Sequence, residues 1–377
     1  MSPRPLLPGL CAVALGLLAG ADSAAAQPRP SPVIVGYAFD RTGSVRLDAA
    51  AASELTHVNY AFVSMRDGRL AEADASQAAS LKALTDLRRD HTQLRVLVSV
   101  GGWLGSKGFS DMALTAAGRR GFARSAVSFL RRHELDGLDL DWEYPGLPGA
   151  GNRHRPEDRA DFSALLLELR AAFDGAGTGR RLELTIAAAS SEDYLAQVDL
   201  AAVARAVDRV NLMTYDFREA ESGDKAGHHA NLRTHPADPD AQSAEASVRR
   251  CLARGAPAAK LVLGVPFYGR GWRGVGEGGL YRRGRPLVGV DVGSYPAILA
   301  LVGKDGWRRG WDEAAQAPFL SNPRGDFVSY EDPDSLRLKC RFVREQGLAG
   351  VMFWEYSADP SGVLLATLAS ELRPSVR

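Results

Sequence analysis

Eight short stretches of apolar and β-branched residues recur along the chain: Val33–Tyr37, His57–Phe62, Arg95–Val100, Gly137–Glu143, Leu182–Ala188, Arg209–Thr214, Leu261–Pro266 and Gly350–Trp354. Longer segments rich in Ala, Leu and Arg separate them. Gln77–Arg89, Gly118–His133, Pro156–Phe173 and Ser243–Ala253 carry helical signals. This alternation predicts a parallel sheet with helical crossovers. Eight units predict a closed (β/α)8 barrel, an α/β fold of the TIM type. One interval breaks the rhythm. The seventh and eighth runs are separated by a Gly-rich, aromatic-rich stretch that is too long for a bare loop. Short β-like pieces such as Gly279–Tyr281 and Pro286–Val290 lie in it. We expect a small α+β insertion over residues 273–329, with the barrel built from 31–272 and 330–373.

The first residues follow a different pattern. Arg4 precedes an apolar run from Leu10 to Gly20, and Ala24-Ala25-Ala26 offers a small-residue cleavage site. Residues 1–26 therefore read as an export signal. The run is too short to span a hydrocarbon core of roughly 30 Å. A secreted or periplasmic monomer is expected, with no membrane association after signal cleavage. Beyond residue 26 only Cys251 and Cys340 remain, so either one disulfide or two buried thiols is open.

Charge changes the picture mainly by exclusion. Lys and Arg total 46 against 45 Asp and Glu, a net charge of +1. A nucleic-acid partner is not expected, because binding a phosphate backbone needs a basic excess. Within this balance, Asp136-Gly137-Leu138-Asp139-Leu140-Asp141-Trp142-Glu143 concentrates acids on one predicted strand. Side chains alternate faces along a strand, so Asp139, Asp141 and Glu143 share one face and Leu138, Leu140 and Trp142 the other. The apolar face should pack under helices and the acidic face should point into the barrel. Burying ionised carboxylates costs several kcal/mol each, so at least one pKa should be raised, as a general acid requires. Glu143, last on the run, lies nearest the rim where barrel active sites sit. A salt-bridged structural strand and a divalent-metal site are the competing readings. No second acidic cluster supports a metal, and none is expected. Ser99 lacks the His and Asp context of a nucleophile.

These residues carry a resemblance to the family 18 glycoside hydrolases, the chitinases. Asp136–Glu143 fits that family's D-x-x-D-x-D-x-E signature. Ser99-Val100-Gly101-Gly102 resembles its S-x-G-G motif, Met213-Thr214-Tyr215-Asp216 its M-x-Y-D motif, and Pro266-Phe267-Tyr268-Gly269-Arg270 the stretch closing strand seven. Gly350–Trp354 with Glu355 resembles the end of strand eight, and Trp311 to Tyr330 the family's inserted domain. The resemblance implies a catalytic group of Glu143, Asp141, Asp139 and Tyr215, no cofactor, and chitin or N-acetylglucosamine oligosaccharides as substrate. Glu143 would protonate the glycosidic oxygen. The substrate's own acetamido oxygen would attack, with net retention, a known exception to two-carboxylate hydrolysis. Asp141 would bond the acetamido N–H and share a proton with Asp139. Tyr215 would hold the acetamido carbonyl. Asp216, Met213, Trp354, Trp103, Tyr268, Arg270, Tyr37, Phe62 and Gly102 are the implied substrate-binding residues, with Gly101-Gly102 read as space for a sugar.

Among the other tryptophans, Trp272 is expected as an outer sugar platform, Trp142 as core, and Trp311 as core of the insertion. Asp136, on the opposite parity, is expected to be structural, and His228-His229 to serve a loop. Phe217-Arg218-Glu219 departs from the Phe, His and Gly that many relatives place there, and Gly36–Asp40 lacks a frequent Pro/Trp continuation. Two alternatives to a chitinase stay open: a family 18 hydrolase of peptidoglycan or N-glycans, and a non-catalytic chitin-binding lectin.

Overall fold

The computed structural model describes residue 1 and residues 31–373, apart from 72, 222–224 and 276–279. The export signal read at 1–26, residue 1 aside, and Gly279 lie outside the described residues; Leu280 and Tyr281 of the β-like run Gly279–Tyr281 form a turn. Eight parallel strands close into a barrel: β1 (Val33–Phe39), β2 (His57–Val63), β3 (Arg95–Gly101), β4 (Gly137–Asp141), β5 (Glu183–Ala188), β6 (Arg209–Leu212), β7 (Leu261–Pro266) and β8 (Gly350–Trp354). Each pairs with its sequence neighbours, and β1 pairs with β8. Strand four is shorter than its acidic pattern suggests. It ends at Asp141, so Glu143 stands on the loop that follows.

The crossovers form where capping chemistry starts them. Asp74 accepts from the backbone of Ser76 and Gln77 and opens the helix Ala75–Asp86 with a capping box. Asp332 does the same for Pro333–Gln346, whose Pro near the start and Gly347 at φ +64° fix both ends. The helices bury the outer strand faces. Trp142 stacks on Phe109 at 5.5 Å and meets Phe162 edge-on at 5.6 Å, as core rather than site. Cys251 and Cys340 are both buried free thiols, which settles the open alternative. No described helix is long and apolar enough to cross a membrane.

Between β7 and β8 the chain builds a second, antiparallel sheet. Its strands lie in the order Arg285–Pro286, Arg270–Arg273, Phe327–Ser329, Ala317–Ser321, Arg308–Asp312. The β-like run Pro286–Val290 contributes only Pro286, in the strand Arg285–Pro286. Trp272 corrects an expectation. It is fully buried against Phe327 and Ala226 in this sheet's own core and cannot be a sugar platform. Facing outward parity does not expose a side chain when a second layer covers it.

Asp136 precedes β4 and carries no chemistry. It accepts from the Val96 N–H at 2.8 Å and pairs with Arg88, Arg95 and Arg180. The arginines are partly solvated and can re-hydrate, but the Val96 N–H is buried. Asp136→Ala should therefore destabilise the protein by about 1–3 kcal/mol, the cost of one unsatisfied buried donor. Calorimetric unfolding checks this, and activity per folded molecule should not change.

Candidate active site

The barrel interior is polar where β1, β3, β4, β5 and β6 converge. Parallel register sets Asp139 beside Ser99 on β3 and Thr185 on β5. Four donors reach its two oxygens. Tyr37 OH and Ser99 Oγ each donate to Oδ2 at 2.8 Å. Thr185 Oγ1 donates to Oδ1 at 2.5 Å and Asn211 Nδ2 at 3.2 Å. Asn211 also donates to the Tyr37 oxygen at 3.1 Å. Burial nonetheless raises the Asp139 pKa against all four hydrogen bonds.

One residue pair further along β4, Asp141 is buried with its Oδ1 lacking any protein partner. Burial first, then the charges of Glu143 and Asp139, hold its pKa well above the carboxylate range. Glu143 follows at the barrel mouth. Burial pushes its pKa up to about 7, with the charges of Asp216 and Glu219 adding and the Tyr144 hydroxyl opposing. Its backbone is clamped on both sides. The Glu143 N–H donates to Ser106 Oγ at 2.9 Å, and its C=O accepts from Asn152 Nδ2 at 2.9 Å. Ser106 in turn donates to the Gly102 C=O at 2.9 Å. Three acids of rising exposure thus run from barrel core to rim, all biased toward the protonated form.

Gly101 and Gly102 serve this stack differently from the expectation. A Cβ on Gly101, at φ +115°, would stand 1.9 Å from the Asp141 carbonyl oxygen. A Cβ on Gly102, at φ +74°, would stand 2.6 Å from the Phe62 ring. The pair makes room for β4 and for Phe62, not directly for a ligand. Phe62 then joins an aromatic group at the ends of β1, β2 and β8. Trp354 lies 5.7 Å from Phe62 and stacked on it, 5.6 Å from Tyr37 and 5.5 Å from Phe39. Met213 and Tyr215 pack on the same apolar cluster. Trp103 is apart from it, 52% exposed on the rim and 6.4 Å from Tyr144.

Asp216 is built to the opposite electrostatic end. Burial raises its pKa, but hydrogen bonds from His229 and Arg270 outweigh that and hold it well below the usual range. Arg270 grips both oxygens, at 2.8 Å each, and Tyr268 OH donates to Oδ2 at 2.7 Å. Tyr215 stands edge-on to Tyr268 at 6.5 Å. The site therefore sets a fixed anion, Asp216, opposite acids biased toward the protonated form. An arrangement of this kind suits proton donation to a leaving group, with a second carboxyl free to orient the reacting group.

The residues named from sequence come together around one barrel mouth, except that Gly102 acts through Phe62 and Trp103 stands on the rim. Several contributors were missed in the sequence. Thr185, Ser106, Asn152 and Asn211 were absent from the expected set, Ser99 was noted without a role, and His229 was assigned only to a loop. Thr185 had a signal: a lone polar residue between Leu184 and Ile186 on an inward parity. Ser106 and Asn152 had none, because they act through backbone atoms of loops.

Comparison with known proteins follows this geometry. The glycosyl hydrolases family 18 profile matches residues 33–359. The chain is 41% identical over 318 residues to "Chitinase A1" of Niallia circulans, covering 79% of this chain and 45% of that one, so it spans under half of that relative. "Chitinase B" of Serratia marcescens is 31% identical over 390 residues, covering 85% of this chain and 76% of that one. Among solved structures, a family 18 N-acetylglucosaminidase from Paenibacillus barengoltzii aligns with a TM-score of 0.82 at 40% identity, covering 90% of this chain and 100% of that one. The group IV chitinase of Ostrinia furnacalis, solved with allosamidin, aligns at 0.80 and 28% identity over 90% of this chain and 98% of that one. With its acid stack at the C-terminal mouth of a (β/α)8 barrel and the family profile spanning most of its length, the chain belongs to glycosyl hydrolases family 18.

Proposed function

We propose that the protein is a secreted chitinase, hydrolysing β-1,4-linked N-acetylglucosamine chains by a retaining, substrate-assisted mechanism. One observation carries the reading: a catalytic acid held near pKa 7 beside Asp141, whose Oδ1 has no protein partner. A buried polar atom without a partner is costly, and a substrate acetamido N–H supplies one. Asp141 accepts that bond, which turns the acetamido oxygen toward the anomeric carbon. Tyr215 steadies this oxygen. Asp139 and Asp141 share one proton and titrate as a pair. Glu143 delivers its proton to the leaving oxygen and then, as carboxylate, draws one from water. Trp354 carries the apolar face of the sugar. Oriented attack of this kind contributes several kcal/mol. The fold and the inserted sheet, read as a separate small domain, support a cleft for an extended chain.

A second reading has its own support. The N-acetylglucosaminidase of Paenibacillus barengoltzii is covered along its whole length, and an enzyme of that kind would release single sugars. Product length separates the two. Chitin oligosaccharides, peptidoglycan and a high-mannose glycan should be compared, with anomers recorded. Chitobiose and longer products in the β-anomer support the first reading. N-acetylglucosamine alone from the earliest times supports the second, and tight chitin binding without turnover would point to a lectin.

Glu143→Gln should reduce turnover of chitotetraose by at least about a thousandfold while binding survives, in line with loss of a general acid. Undiminished turnover would overturn the role. The pH profile has a defined sign. Glu143 must be protonated to act, so kcat/KM should be flat below about 7 and fall roughly tenfold per unit above it. Asp216→Asn removes a negative charge that raises the Glu143 pKa, so the falling limb should move to lower pH. Stopped assays across pH 5–9 read both outcomes.

A further inference from the structure

The dipeptide His228-His229 is not used by the chemistry above. Adjacent side chains of an extended segment point opposite ways, and these two do. His229 faces the barrel, with Nδ1 3.3 Å from Asp216 Oδ1 and its ring 5.5 Å from that of Tyr268. His228 faces the inserted sheet, with Nε2 3.1 Å from Asp312 Oδ2 and its ring edge-on to Phe319 and Phe327. Both imidazoles are fully buried. The His229 backbone is tied as well. Its N–H donates to Ser329 Oγ at 3.0 Å, and its C=O accepts from the Phe217 N–H at 3.0 Å. Ser329 ends the central strand of the small sheet, and Phe217 is the neighbour of Asp216. One dipeptide thus joins the inserted sheet to the catalytic loop.

Asp216 needs that support. It sits at φ +54°, in the left-handed region, which a non-glycine residue keeps only when its surroundings over-determine it. Arg270 and Tyr268 hold its carboxylate, and Arg270 also belongs to the inserted sheet. An ionised Asp216 only accepts, so His229 must present Nδ1–H and keep its lone pair on Nε2. Nε2 is buried and has no protein partner. The groups around the ring are Asp216, Arg270, Tyr268 and Lys339, which is itself paired with buried Glu331. Burial, then Arg270 and Lys339, outweigh Asp216 and keep the imidazole neutral. The ring therefore acts as a fixed donor of one tautomer.

We infer that His229 is a positioning residue for the reaction: through Nδ1–H it fixes the Asp216 carboxylate that faces Glu143, while His228 anchors the same backbone in the inserted sheet. The inference deepens the reading of Glu143 as general acid and rests on it. A merely structural histidine would matter for its volume. A positioning one matters for where its donor sits.

Asparagine and glutamine separate these roles. The Asn side-chain nitrogen mimics Nδ1, whereas that of Gln reaches the place of Nε2. Chitotetraose turnover should be profiled against pH for His229→Asn and His229→Gln, each alone and with Asp216→Asn, with thermal unfolding recorded. H229N should keep kcat within about threefold of wild type. H229Q should lose roughly ten- to a hundredfold in kcat with little change in KM, the scale of a displaced catalytic group. Its alkaline limb should move to lower pH. In the Asp216→Asn background the two His229 variants should become equal. Equal activity of H229N and H229Q in folded protein, or the same H229Q loss with and without Asp216, would overturn the inference. A wild-type protein inactive on chitotetraose would overturn the functional reading itself, and this inference with it.

Discussion

Three carboxyl groups share the interior of one barrel, and no cation among the described residues neutralises the inner two. The rest of the site follows from that constraint. Isolated carboxylates cannot stay charged out of water without paying several kcal/mol each. Asp139 is met by hydroxyls and an amide, not by Lys or Arg. Neutral donors satisfy its lone pairs without cancelling the effect of burial, so protons remain the means of neutralisation. A cation in the same place would have produced a salt bridge and left the inner two acids ionised.

The anion at the mouth shows the alternative solution. Asp216 is only partly buried, and Arg270, Tyr268 and His229 keep it charged. The contrast is one of ligand type as well as depth. Carboxyl groups biased toward protonation and one held ionised stand within a single cleft, which is the pattern that divides acid and anion roles in catalysis. Arg270 and the Ser329 that holds His229 both come from the inserted sheet. That sheet contributes electrostatics to the site as well as a wall.

Much of this was legible in the sequence. The eight strands, the acidic parity of the fourth, and the core role of Trp142 follow from alternation alone. The misreadings have physical reasons. Period-two patterning continued through Glu143, but ladder bonding stopped at Asp141, because side-chain alternation can outlast strand pairing. Trp272 ended a predicted barrel segment, and nothing local revealed the sheet that buries it. Gly101 and Gly102 were correctly read as demanding space, but their neighbours, the Asp141 carbonyl and Phe62, come from distant strands. Ser106 and Asn152 reach Glu143 only through its backbone atoms, a contact that no residue type advertises.

The donors around Asp139 also bear on how the molecule assembles. They come from strands one, three, five and six, and Tyr37 and Asn211 are separated by 174 residues of chain. Ser99 and Thr185 flank the acid on adjacent strands, but Tyr37 and Asn211 cannot reach it in an open sheet. The buried carboxyl is fully compensated only when the first strand has met the last and the ring has closed. Until then the acidic strand favours water, and a wrongly registered closure would leave it short of two partners. The reactive centre is therefore also a checkpoint on topology, and its competence reports that the whole ring has formed.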